Sequence, residues 1–262
     1  EGCEVVALES TGIYWYRLFL ELESAVQVIV ANARQIKSIP GRKTDINDAR
    51  WIAELALNGL IKPSRIFPRK DREFRDLTRN REVLVQTRTT IKNRIHKILD
   101  SAGIRLKAAM KDIFGRSGRH LLLGIADQKD LETTLATIPS PVILRRTDQI
   151  REILRRNPLS SLQLYLLKTQ LALFGEIEEK IAQLESLILA SLEDSQTEAL
   201  AICMTVPGVS TTAATTILAE VGDVRDFASA DRLVSWAGLA PSVYQSADTL
   251  VCGKITKQGS KS

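Results

Sequence analysis

The sequence predicts an α/β N-terminal part followed by an all-α remainder, and three observations carry that expectation. Two short apolar runs rich in β-branched residues flank a helical stretch near the start. Farther on, two long stretches repeat apolar residues at spacings of three and four. Between and after them, glycine and proline divide the chain into short helical segments and turns.

Residues 4–9 (EVVALE) and 25–30 (AVQVIV) read as strands, and 12–23 as a helix with Tyr14, Leu18 and Leu22 on one face. Strand, helix and strand in that order are the βαβ signature of a parallel sheet. Pro40 and Gly41 lead to a helix over 45–58, closed by Gly59. Residues 71–101 form a long amphipathic helix on which Phe74, Leu77, Leu84, Ile91, Ile95 and Ile98 recur at helical spacing, with Gly103 as the stop. Its polar side carries Arg72, Arg75, Arg79, Arg81, Arg88, Lys92, Arg94 and Lys97, which is either a solvated bundle face or a face that tracks phosphates. Short helices and loops fill 104–158. A second long helix follows over 159–192, where Leu167, Leu171, Phe174, Ile177, Ile181, Leu184 and Ile188 are spaced like a coiled-coil seam, for use in dimerisation or against the first long helix. After Ser195, the run TVPGVS separates two helical stretches, as a plain αα-turn or as a helix-hairpin-helix-like turn with Gly208 at its tip and free amides for a phosphate. A helix around 230–236 and a basic, polar tail complete the chain. Three parts result: 1–68, a helical linker over 69–195, and 196–262.

Charge and composition narrow the class. A hydrophobic share of 44% with 26% charged residues is that of a globular protein, and no apolar run approaches the roughly 18 residues of a membrane span. The net charge of +5 is compatible with a polyanionic partner. Cys3, Cys203 and Cys252 are far apart and lack the spacing of a zinc site or disulfide framework, which places the protein in a reducing cytoplasm. The chain begins at Glu1 without methionine and stops at Ser262 inside a basic segment, so it reads as a piece cut at both ends.

Several residues are candidates for chemistry. Glu9 closes the first strand, and strand ends are where open α/β sheets place their sites. Asp45 and Asp48 lie three apart at a helix start, sharing one face near the positive end of its dipole, where capping is the alternative role. Together the three carboxylates supply the hard oxygen ligands that Mg²⁺ prefers, and such sites serve phosphoryl transfer. His96 and His120 lack a matching partner and read as structural or solvated. Ser246 lies near Lys254 and Lys257, which either bind phosphate or solubilise the tail.

ALESTGIYW, VIVANARQIK and GRKTDINDARWIAELALNG resemble the N-terminal domain of insertion-sequence transposases whose active site joins an Asp-Glu-Asp-Asp metal cluster to a separate serine. That family includes the bridge-RNA-guided recombinases. TVPGVSTTAATTILAEVGD, FASADRLVSWAGLAPSVYQS and GKITKQGSK are similar to its C-terminal transposase domain. The blocks occur in family order at both ends, with the helical linker between them.

The resemblance implies a partial RuvC-like ribonuclease-H fold at the N-terminus, with Glu9, Asp45 and Asp48 as three of four acidic Mg²⁺ ligands. The fourth, an aspartate on an earlier strand, would precede Glu1. Ser246 matches the serine thought to attack the DNA backbone and form a phosphoserine linkage. The implied partners are DNA, a guide RNA encoded by the element, and further copies of the chain assembled through the Leu167–Ile188 stripe, in a cytoplasmic, nucleoid-associated setting. DNA contacts are expected from Arg79, Arg88, Lys92, Arg94, Gly208, Lys254 and Lys257. The expected function is DNA strand cleavage and rejoining in transposition, with this piece inactive alone. A Holliday-junction-type metal nuclease that uses water, and a non-catalytic DNA-binding remnant, are the alternatives.

Overall fold

A computed structural model describes residues 2–10, 12–33, 36, 45–138, 140–246 and 249–255, without side-chain detail for 45–47, 142 and 242–252. It divides into two compact units, Glu1–Pro68 and Arg69–Ser262.

In the first unit, β1 (Val5–Glu9), α1 (Tyr14–Leu22) and β2 (Gln27–Ala31) form the expected βαβ turn, and β1 and β2 pair in parallel with Val5 opposite Gln27 and Glu9 opposite Ala31. A short extended segment lies beside β2: Ser64 donates its N–H to the Val30 carbonyl at 2.7 Å, and Pro63 bridges Ala31. Helix α2 (Asp45–Leu57) covers this sheet, with Leu55 buried against Ala31 and Ile61, and Trp51 and Ile52 at the margin. Gly59 beyond its end takes φ +67°, the left-handed value that an L side chain adopts only with strain.

The face expected of α1 is corrected by the structure. Tyr14 and Leu18 are exposed at 82% and 53%, whereas Phe19 is buried and Trp15 meets it edge to face at 6.1 Å. Apolar residues at i, i+4 occur on both sides of this short helix, so spacing alone does not choose the buried one.

The second unit is built on two long helices, α3 (Arg69–Ser101) and α8 (Ser161–Ala190). They run antiparallel: Phe74 packs in one cluster with Ile188, Arg81 meets Glu185, Arg88 meets Glu178, and Ser101 receives a hydrogen bond from Gln163. At 1.5 Å per residue, α3 is about 50 Å long. Serine caps the start of α8: the Ser160 Oγ accepts the Gln163 N–H, and the Gln163 amide returns to the Ser160 N–H.

Leu167, Leu171, Phe174, Ile181 and Ile188 of α8 are all buried within the chain, most of them against α3 and the short helices. Of the two uses expected for this stripe, the structure shows packing within the chain: its buried side chains lie in an intramolecular core. The sequence left both uses open, because a heptad seam has the same spacing whether its partner is another chain or another helix of the same chain.

Between the long helices lie α4 (Arg116–Ala126), α5 (Leu131–Ala136), α6 (Pro141–Leu144) and α7 (Thr147–Arg156). They close the main core over Ile95, Leu99, Leu121, Leu122, Leu135 and Ile150, each almost wholly removed from water. After α8 come α9 (Asp194–Met204), α10 (Thr211–Val221) and α11 (Ala230–Trp236). Leu218 and Ala219 of α10 pack with Phe74 and Leu77 near the start of α3.

The C-terminal tail departs from expectation. In place of a basic, polar tail without strands it forms an antiparallel hairpin, β3 (Pro241–Ser246) and β4 (Thr249–Ile255), with an irregularity between Pro241 and Val243. None of the described helices is long and apolar enough to cross a membrane.

Candidate functional site

Glu9 is the last residue of β1, half-buried, and the Ser10 N–H just beyond it makes a rung of the parallel ladder to the Ala31 carbonyl at 3.0 Å. Asp45 is the first residue of α2, and Asp48, one turn later, has an exposed side chain. The Asp45 side chain and the preceding Gly41–Thr44 lie outside the described residues. Carboxylate oxygens have the donor chemistry that Mg²⁺ takes. Among the described residues, however, no three carboxylate, histidine or cysteine side chains converge on one point, so the donor types fit the metal while the trio itself rests on Asp45.

Ser246 ends β3 and pairs across the hairpin with Thr249, beside the turn that joins the strands. Its side chain lies outside the described residues, as does the whole of Lys257, while Lys254 on β4 is exposed. At the turn between α9 and α10, Gly208 takes φ +89°, and Ser210 caps α10 by accepting the Ala213 N–H at 3.2 Å. The amides that open α10 thus follow a sharp glycine turn, the arrangement that can receive an anion.

The cations of α3 do not form one solvated face. Glu220 of α10, buried to 8% exposure, accepts hydrogen bonds from Arg75 Nε at 3.0 Å and from Arg79 Nε and Nη2 at 2.8 and 3.2 Å. This hydrogen bond holds the Arg79 guanidinium more firmly protonated than usual, against the opposing effect of its partial burial. Arg81 and Arg88 occupy seam positions opposite Glu185 and Glu178. The Lys92 ammonium lies over the Phe114 ring at 5.1 Å and the Phe174 ring at 5.6 Å. Arg94 and Lys97 remain exposed, without an ion-pair partner among the described residues.

The histidines are structural, as expected. His120 Nε2 is within hydrogen-bond distance of Thr137 Oγ1 at 2.9 Å and the Thr134 carbonyl at 3.2 Å, and His96 packs edge to face on Phe114. Cys3 and Cys203 are free thiols.

Comparison with known proteins bears on both halves of this layout. A family described as transposase matches residues 1–104, and the transposase IS116/IS110/IS902 family matches 200–262. Both regions are thus similar to transposase families. A probable family 20 transposase of Pseudomonas aeruginosa is 27% identical over 97% of the chain, and the transposase for insertion sequence element IS1111A of Coxiella burnetii is 24% identical over 98%. The chain spans 66% and 62% of the length of these two relatives.

Sequence reasoning missed Glu178, Glu185 and Glu220 as partners of the arginines, and Arg119 of α4, whose guanidinium reaches Glu178 at 3.4 Å and lies 5.0 Å from the Phe174 ring centre. A signal for two of them was present. Glu178 and Glu185 fall on the four-three spacing of Leu167, Leu171, Phe174, Ile181 and Ile188, so they are seam residues and require cations opposite. Nothing local marks Glu220 or Arg119.

Proposed function

We propose that this transposase chain binds the DNA of an insertion sequence and takes part in cutting and rejoining its strands, with Ser246 as nucleophile. The observation that carries the reading is the order of the two matched transposase regions, with E-S-T-G at the end of β1 in one and Ser246 at the end of β3 in the other. In this reading residues 1–68 are part of a RuvC-like unit, 69–195 the helical linker and 196–262 the serine-bearing region. Glu9, Asp45 and Asp48 would hold Mg²⁺, which when bound offsets negative charge at the scissile phosphate. Serine and carboxylates reside on separate units, which favours an assembly of several copies around the DNA, in the cytoplasm and with a guide RNA among the partners. The α9–α10 turn at Gly208, read as helix-hairpin-helix-like, and the exposed Arg94 and Lys254 supply backbone contacts.

The test is a denaturing gel for a protein–DNA adduct formed on the element's junction DNA with Mg²⁺, in the chain and in versions extended at either end. An adduct that disappears in Ser246→Ala is expected. Metal-dependent cleavage that survives Ser246→Ala would replace serine with water as nucleophile. Binding that falls steeply with salt and ignores Mg²⁺, with no adduct in any version, would leave a DNA-binding protein without strand chemistry.

A further inference from the structure

Where α3, α4 and α8 meet, cations from two of these helices gather around two aromatic rings. Arg119 of α4 and Lys92 of α3 both lie over Phe174 of α8, so they are no farther apart than their two ring distances together. Lys92 also lies over Phe114. Arg88 joins them through Glu178, which accepts from both Arg88 and Arg119.

Two of these cations, Arg88 and Arg119, thus share a single carboxylate, and Lys92 has no carboxylate partner among the described residues. Lys107 adds a further positive charge near His96, on the next turn of α3 after Lys92. The neighbouring acid Asp112 accepts the Phe114 backbone N–H at 2.9 Å. Arg119 keeps 37% of its side-chain exposure, so the group is open to a ligand.

A ring face attracts one cation without neutralising it, and two cations on one ring repel each other. Such a group is arranged to receive an anion larger than a carboxylate, and a phosphodiester backbone presents successive charges at short intervals. The exposed Arg94 and Lys97 continue along the same helix.

We propose that Lys92 and Arg119, held on Phe174 and Phe114, form a phosphate-binding site for the backbone of duplex DNA on the helical linker. The choice of duplex DNA rests on the transposase reading above. The site reads no bases: its contacts are charge to phosphate, which position the duplex.

The experiment is fluorescence anisotropy of a labelled duplex against the chain over a salt series, with Lys92→Gln/Arg119→Gln compared with Lys168→Gln/Arg156→Gln. The second pair removes the same charge from other surface positions. Each lost phosphate contact lowers the slope of log affinity against log salt by about 0.9, so the first variant is expected to lose nearly two units of slope. Its affinity should fall at least tenfold, alike for unrelated duplex sequences, and the control should retain its slope. Lys92→Arg/Arg119→Lys keeps the charges and should bind like the parent, which separates loss of charge from loss of fold.

If the parent binds duplex and the Gln variant keeps its slope, the site is wrong while the transposase reading stands. If the Gln variant weakens only for a folded RNA, the assignment to DNA is overturned. If the parent binds no duplex at all, both readings fall.

Discussion

Replacing Glu220 with alanine removes a carboxylate that Arg75 and Arg79 share, and with it a polar link between α10 and the start of α3. Charge-assisted hydrogen bonds each contribute about 1.5–3 kcal/mol when shielded from water. The Arg75 contacts qualify, because its side chain is 21% exposed and that of Glu220 8%. Those of Arg79, at 44% exposure, belong nearer the surface ion-pair range of about 0–1 kcal/mol. Glu220→Ala should therefore cost about 2–4 kcal/mol, below the upper end for buried pairs because both arginine side chains keep some exposure to solvent. Arg75→Ala should cost about as much, since it leaves a buried carboxylate on a half-exposed partner. Arg79→Ala should cost about 1 kcal/mol. Amide hydrogen exchange of α10, followed by mass spectrometry, reads the local opening free energy directly and avoids assuming that both units unfold together. A double-mutant cycle then isolates the pairs. Coupling between Arg75 and Glu220 below about 0.5 kcal/mol, or unchanged protection of α10, would refute the argument that this clamp holds the helix.

Three more outcomes follow from the geometry. Gly118→Ala places a Cβ 2.3 Å from the Ile113 carbonyl oxygen, which backbone cannot yield without moving α4, so a loss of about 2–3 kcal/mol is expected by urea titration. Burial and the nearby Lys107 hold the His96 pKa below 6.5, against the weaker pull of Asp100, so the fold prefers the neutral ring. The His96 contribution to stability is then complete above pH about 6.5 and is lost as pH falls through the folded-state pKa; the stability difference between the parent and His96→Gln should shrink from pH 7.5 to pH 5.5, and a constant difference would exclude this role. Arg81→Glu, which sets two carboxylates opposite each other at the seam, should destabilise by about 1–2 kcal/mol, and Glu185→Arg in the same chain should restore most of it; failure of the second change to rescue the first in thermal melts would mean that the pair does not set the register.

The N-terminal unit was legible because its signals are local. A β-branched run, a helix-length spacer and a second run specify βαβ whatever surrounds them, and β1, α1 and β2 fall where the pattern places them. The candidate carboxylates were legible as residue types at a strand end and a helix start. Their mutual distances were not, since Glu9 and Asp48 are 39 positions apart in the chain and only packing relates them. The hairpin of β3 and β4 was missed because glycine, serine and lysine lower the β signal of SVYQS and TLVCGKI, and strands this short gain their stability from pairing across the turn.

The sequence by itself determined the similarity to transposase families, through motif blocks whose order is a property of the chain, and the existence of two long amphipathic helices, through a period set by 3.6 residues per turn. Tertiary structure alone decided which face of α1 is buried, that the α8 seam packs onto α3 of the same chain, and which cations are paired. Periodicity says that a stripe must be covered, and charge says that a cation needs a partner. What covers the stripe, and whether the partner is Glu178, Glu220 or a phosphate, depends on which elements the fold brings within contact distance, and that is information carried by the packed core.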